Sequence, residues 1–333
     1  MAPGIARVRH GRGFTYRDPA GRRIDDQSTL QRLRGLAIPP AWTDVWVCLD
    51  ELGHLQATGT DAAGRKQYLY HPLWSERRDR AKFERMLAFA ESQPRLRRCV
   101  TRDLRDADPT RTRVLAGAVR LLDLGLFRVG SEEYVEANGS FGLTTLRKEH
   151  LTITGDALRF DYPAKSGLER VQIVNDRRCA ELLQTLKRRR SGGSELLAYR
   201  EGRRWFHLHA EDVNEYLKAV LGGEYSAKDF RTWNATVIAA AALAAAAKSN
   251  GVIPRRATKT GRERAIRSAV TFVAEALGNT PAVARRSYID PRVFDRYRAG
   301  NVVELDVDPD LLVSGRDAHR RRIERAVLEL LTG

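Results

Sequence analysis

Cysteine is scarce in this chain and never paired. The three thiols among 333 residues, Cys48, Cys99 and Cys179, are isolated, with no CxxC and no Cys/His spacing. Neither a disulfide framework nor a zinc-binding motif is indicated. Long apolar runs are also missing: the longest candidate, 237–247, is alanine-rich and ends at Lys248, short of the roughly 20 residues that span a bilayer. The opening residues, Met1 to Arg7, carry no apolar signal core, so a cytoplasmic protein is expected. There is no GxxxxGK[ST] phosphate loop and no internal repeat. The nearest approach to a metal motif is His207-Leu208-His209, whose alternation puts both rings on one face of a strand. No third ligand lies close by in sequence, so the pair is expected to be structural, with no metal and no other cofactor.

Acidic residues are in deficit as well. Lys and Arg number 58 against 42 Asp and Glu, a formal charge of +16, and most of the basic residues are arginine. That balance favours a polyanionic partner, nucleic acid ahead of a membrane surface.

The length suits two domains. Residues 1–74 read as a small β-rich domain, with alternating runs at 14–16, 45–49 and 54–58 separated by turn residues and one short helix near 29–36. A charged linker at 75–81 follows, and residues 82–333 read as a larger, mainly α-helical domain. Apolar residues at three- and four-residue steps mark helices at 82–93, 111–124, 180–189, 212–221, 228–249, 261–277 and 317–331. A three-stranded β element interrupts them at 151–154, 157–162 and 170–174, with Lys165 at a hairpin tip. The fold class is therefore α+β.

Four segments of the second domain combine basic residues with tightly specified turns. Arg128 follows a helix and precedes Gly130. Lys165 sits in Tyr162-Pro-Ala-Lys-Ser-Gly167. Lys228 and Arg231 begin an alanine-rich helix. Gly278 ends a helix, and Thr280-Pro281 caps the next, which leads through Arg285-Arg286 to Tyr288.

Arg128, Lys165, Arg231 and Tyr288, in that order and with the hydrogen-bonding Asn279 nine positions before the tyrosine, resemble the active site of the small type IB DNA topoisomerases of poxviruses and bacteria. The resemblance covers nearly the whole chain. It includes the run Gly59 to Pro72, with Gln67, Tyr68 and Tyr70, which is similar to that family's DNA-clamping segment. Where poxvirus-like members have a histidine, this chain has Asn279, whose amide donates a hydrogen bond but carries no charge.

The resemblance implies a supercoil-relaxing enzyme that works on double-stranded DNA without ATP or metal, as a monomer in the nucleoid. Tyr288 would attack phosphorus and form a 3′-phosphotyrosyl bond. Arg128 and Arg231 would clamp the non-bridging oxygens, Asn279 would bond one of them, and Lys165 would protonate the departing 5′-oxygen. Gln67, Tyr68, Tyr70, Tyr134 and Lys228 would contact DNA. A tyrosine site-specific recombinase is the alternative. That family usually carries His-x-x-Arg where this chain has Lys228-Asp-Phe-Arg231, and an N-terminal helical domain where this one reads as strands.

Overall fold

A computed structural model describes residues 3–249, 254–305, 308–313 and 320–333, without the side chains of Tyr134, Ser166 and Pro254. The chain divides into two compact units, one ending at Glu84 and the other beginning at Arg85. The α+β class holds: a β-rich first unit is followed by a mostly helical second. No helix among the described residues is long and apolar enough to cross a membrane.

The first unit is built on a five-stranded antiparallel sheet formed by β1 (Ile5–His10), β2 (Gly13–Arg17), β3 (Thr43–Val47), β4 (Leu55–Thr60) and β5 (Lys66–Tyr70), in the order β2-β1-β3-β4-β5. Helix α1 (Gln27–Gly35) starts where the Asp26 carboxylate accepts from the Thr29 N–H, satisfying one donor that the first helical turn leaves orphaned. The core consists of Ile5, Leu33, Ile38, Val45, Val47 and Ala57. The expected linker, 75–81, proves helical and lies inside α2 (Pro72–Asp103). Its Glu, Arg and Asp residues are compatible with a helix, and no glycine or proline interrupts them.

In the second unit, α3 (Arg111–Gly125) is buried along most of its length and is capped by Thr110. It closes at Leu126, a left-handed residue without a glycine's freedom (φ 54°). Helix α4 (Glu132–Asn138) follows, then the antiparallel sheet β6 (Leu151–Thr154), β7 (Ala157–Ala164) and β8 (Leu168–Asn175). Beyond α5 (Arg177–Arg188) comes a hairpin that periodicity did not reveal, β9 (Ala198–Glu201) with β10 (Arg204–His207), and then α6 (Ala210–Leu221).

The central element is α7 (Ala227–Ser249). Apart from exposed Lys228 it is buried on all sides as far as Ala241, first through large residues such as Phe230 and Trp233 and then through small alanines that let neighbouring helices approach closely. Next come α8 (Lys259–Leu277), α9 (Pro281–Ser287), α10 (Pro291–Arg298), α11 (Pro309–Val313) and α12 (Arg320–Thr332). The expected start of the last helix at 317 lies outside the described residues.

Helix α12 is bound into the core by charge. Arg97 donates to both oxygens of Asp123 (2.8 and 2.7 Å) and of Glu324 (2.6 and 2.8 Å). Arg320 donates to Glu324, to the Asp123 carbonyl and to Asn234. Two cations and two anions thus share one buried site that ties α2, α3, α7 and α12 together.

Candidate active site

Three guanidiniums converge on the C-terminal end of α8. Arg170, from β8, donates to the Ala276 carbonyl, Arg231 to that of Leu277 (3.0 Å) and Arg128 to that of Gly278 (3.2 Å). A helix end leaves such carbonyls without intrahelical partners and carries partial negative charge. Those two properties let three like charges sit together. Gly278 is the left-handed cap (φ 60°) and suits the crowding: a Cβ there would lie 2.8 Å from an Arg170 nitrogen.

Arg231 is 4% exposed and also donates to the carbonyl of Leu126, so the left-handed closure of α3 presents an acceptor to it. Burial first, and then the nearby Arg128, lower its pKa to about 10. Arg128 is held by Asn279 Oδ1 at 2.6 Å. This fixes the Asn279 amide with its oxygen toward the arginine. Its Nδ2 is buried and has no hydrogen-bond partner among the described residues, and the same is true of Arg231 Nε. The turn after Arg128 needs its glycines, because a Cβ on Gly142 would lie 2.4 Å from Gly130 Cα.

Tyr288 caps the C-terminus of α9, whose N-cap Thr280 and first-turn Pro281 stand as the sequence indicated. Its ring lies against Arg231, with the guanidinium carbon 5.1 Å from the ring centroid. Burial works to raise the phenol pKa, but Arg231, Arg128 and Lys228 outweigh it and hold the phenol below its ordinary value. The backbone is tied to α7: Thr236 Oγ1 accepts from the Asp290 N–H (3.1 Å), and its one proton is shared between the Thr232 carbonyl of its own helix (2.9 Å) and the Tyr288 carbonyl (3.3 Å). Tyr297, another tyrosine nearby in sequence, is 4% exposed, and burial raises its phenol pKa.

The structure therefore brings Arg128, Arg231, Asn279 and Tyr288 together, with exposed Lys228 near enough to act on the phenol. Lys165 is exposed in the turn joining β7 to β8. Tyr162 and Arg170 pair across that hairpin, so Lys165 lies three residues, about 10 Å of strand, beyond their level. In the first unit, Gln67 bonds Asp61 (2.8 Å), while Tyr68, Tyr70 and Trp74 stack in series with Arg78 over the last two rings. Tyr134 lies on α4, with its side chain outside the described residues. Sequence reasoning missed Arg170 and Thr236; only the pairing of β7 with β8 and the packing of α9 bring them here.

The His207 and His209 pair needs correction. His207 ends β10, whereas His209 is the N-cap of α6, so the two do not share a strand face. A third donor does stand beside them: Glu132 Oε1 lies 2.8 Å from His209 Nδ1 and 3.6 Å from His207 Nε2. It comes from α4, far away in sequence.

Residues 67–300 match the family described as eukaryotic DNA topoisomerase I, catalytic core, and residues 13–61 match the bacterial DNA topoisomerase IB, N-terminal domain. The chain is 29% identical to the DNA topoisomerase 1B of Acanthamoeba polyphaga mimivirus, across 90% of this chain and 88% of that protein. It is 23% identical to the DNA topoisomerase 1 of rabbit fibroma virus, across 96% and 98%, and 21% identical to the DNA topoisomerase 1B of vaccinia virus strain Copenhagen, across 84% and 86%. An enzyme that changes DNA topology is the class these matches define. The chain belongs to the type IB DNA topoisomerases, which act without ATP.

Proposed function

We propose that Tyr288 is the nucleophile with which this topoisomerase opens one DNA strand. The phenol attacks phosphorus, forming a 3′-phosphotyrosyl bond and releasing a 5′-hydroxyl. The free end then rotates, and the 5′-oxygen reverses the attack. One phosphodiester replaces another, so the exchange needs no external energy. Both positive and negative supercoils relax.

Arg128 and Arg231 bind the non-bridging oxygens as charge grows on them, and removing one such donor typically costs about 10²–10³ in rate. Lys165 protonates the leaving oxygen from its exposed turn. Residues 1–74 act as a DNA clamp joined through 75–81 to the catalytic domain at 82–333. Gln67, Tyr68 and Tyr70 from the clamp, and Tyr134 and Lys228 from the catalytic domain, contact the duplex. The enzyme works as a monomer on nucleoid DNA.

The observation that carries this assignment is the pair of buried, unpartnered donors, Asn279 Nδ2 and Arg231 Nε, in the cluster that holds Tyr288. A buried donor left without an acceptor costs about 1–3 kcal/mol, and a phosphate oxygen is the acceptor that would satisfy both. Plasmid relaxation in EDTA without nucleotide, with wild type and Tyr288→Phe, is the test. Wild type should relax either sign of supercoil. The variant should bind DNA yet give no covalent adduct on detergent quenching; an adduct that persists moves the nucleophile elsewhere.

A further inference from the structure

We propose that Glu132, His207 and His209 form a binding site for one divalent zinc-like cation, fastening α4 to the corner between β10 and α6. The three donor atoms lie within 4.8 Å of one another. Ligands on ~2.0–2.1 Å bonds around a tetrahedral ion stand about 3.3 Å apart. The two observed separations from the Glu132 oxygen, 2.8 and 3.6 Å, bracket that value.

The chemistry of the donors selects the ion. Two imidazoles with one carboxylate suit zinc and its neighbours among the first-row metals, whereas magnesium and calcium prefer all-oxygen sets. Three protein ligands leave the fourth position to water, which the open wall of the adjoining cavity permits; Phe141, Thr145, Arg147 and Glu195 also line it. Without an ion, Glu132 Oε1 and His209 Nδ1 stand 2.8 Å apart, and metal binding would replace that contact with two bonds to one centre.

The location gives the site its consequence. Glu132 is the first residue of α4 and lies four residues after Arg128, while the histidines belong to a hairpin end and a helix cap more than seventy positions later. An ion held by all three fixes the first turn of α4, and with it the short segment leading back to Arg128. This site takes no part in the strand chemistry at Tyr288, and its test is independent of that assignment.

The experiment is titration of chelator-stripped full-length protein with Zn²⁺ by calorimetry, and with Co²⁺ by visible absorption, alongside hydrogen exchange of residues 129–138. One ion per chain should bind, Co²⁺ should give the intense bands of a tetrahedral site, and exchange across α4 should slow. Glu132→Gln and His209→Ala alter exposed side chains and leave the core untouched. Each should weaken binding by at least about 10–100-fold, the range seen when even outer-shell support is lost. No stoichiometric binding, or binding that both variants retain, as an ion on Cys48 or Cys99 would give, overturns the proposal.

Discussion

Asn279 offers a test in which two substitutions must fall in a set order. Its oxygen accepts from Arg128 at 2.6 Å, while its Nδ2 is buried without a partner. Asn279→Ala removes both functions. Loss of one donor to a developing phosphate charge is worth about 10²–10³ in rate, and loss of one of Arg128's acceptors adds about 1.5–3 kcal/mol of weakened positioning. Asn279→Asp keeps the acceptor, and strengthens it, but turns an anion toward the phosphate. Two like charges about 4 Å apart at an effective dielectric of about 20 repel by about 4 kcal/mol, more than the improved bond to Arg128 returns. The aspartate substitution should therefore cleave more slowly than the alanine substitution. Single-turnover formation of the covalent adduct on a substrate that cannot religate, at saturating enzyme, measures this directly. If Asn279→Asp is the faster of the two, the residue serves only to orient Arg128, and a phosphate contact by Nδ2 is refuted.

Three further outcomes are expected. Cleavage rate should rise with pH and level off below the ordinary phenol value of about 10, because the arginines lower the Tyr288 pKa and the reactive phenolate appears earlier. A profile still climbing at pH 11 would contradict the assigned electrostatics. Glu324→Gln should destabilise the second unit by about 3 kcal/mol, since it removes the one carboxylate that both Arg97 and Arg320 bond, leaving buried Arg97 with Asp123 alone; that is about 6–12 °C in melting temperature for a unit of this size, and an unchanged melting curve would show the cluster to be energetically idle. Arg170→Met removes the side-chain donor to Ala276, worth about 1.5–3 kcal/mol for a charged hydrogen bond; adduct formation should slow along with the loss of stability, and a variant with wild-type rate and melting temperature would remove Arg170 from the site.

What the sequence revealed about this site depended on how local each cause was. The junction of α8 and α9 was legible because Gly278, Thr280 and Pro281 determine it within four residues. The turn carrying Lys165 was legible because two alternating runs flank it. Arg170 was not: inside a strand it looks like any surface cation, and only the pairing of β7 with β8 aims it at α8. Leu126 adopts a left-handed conformation that no turn residue announces; its surroundings impose it. Glu132 escaped because the third donor for a histidine pair came from another helix. The ionic cluster joins Arg97 to Glu324 across 227 positions, a distance at which no periodicity carries information.

The two bonds of Thr236 have a mechanical meaning. In the proposed mechanism Tyr288 becomes joined to a DNA end, and drag from the turning duplex would then pull on that one side chain while its former partner, the 5′-hydroxyl, swings free. A tether on a loop would yield, and the tyrosine would drift from the arginines needed to reseal the break. Here the amide of Asp290 is pinned to Thr236 on α7, about one turn beyond Arg231, and the Tyr288 carbonyl shares the proton of the same hydroxyl. Load applied to the tyrosine passes into the helix that also carries the arginine, so the two move as one piece. The gap that must be closed again then depends on where the DNA end has gone, and very little on how hard it has pulled.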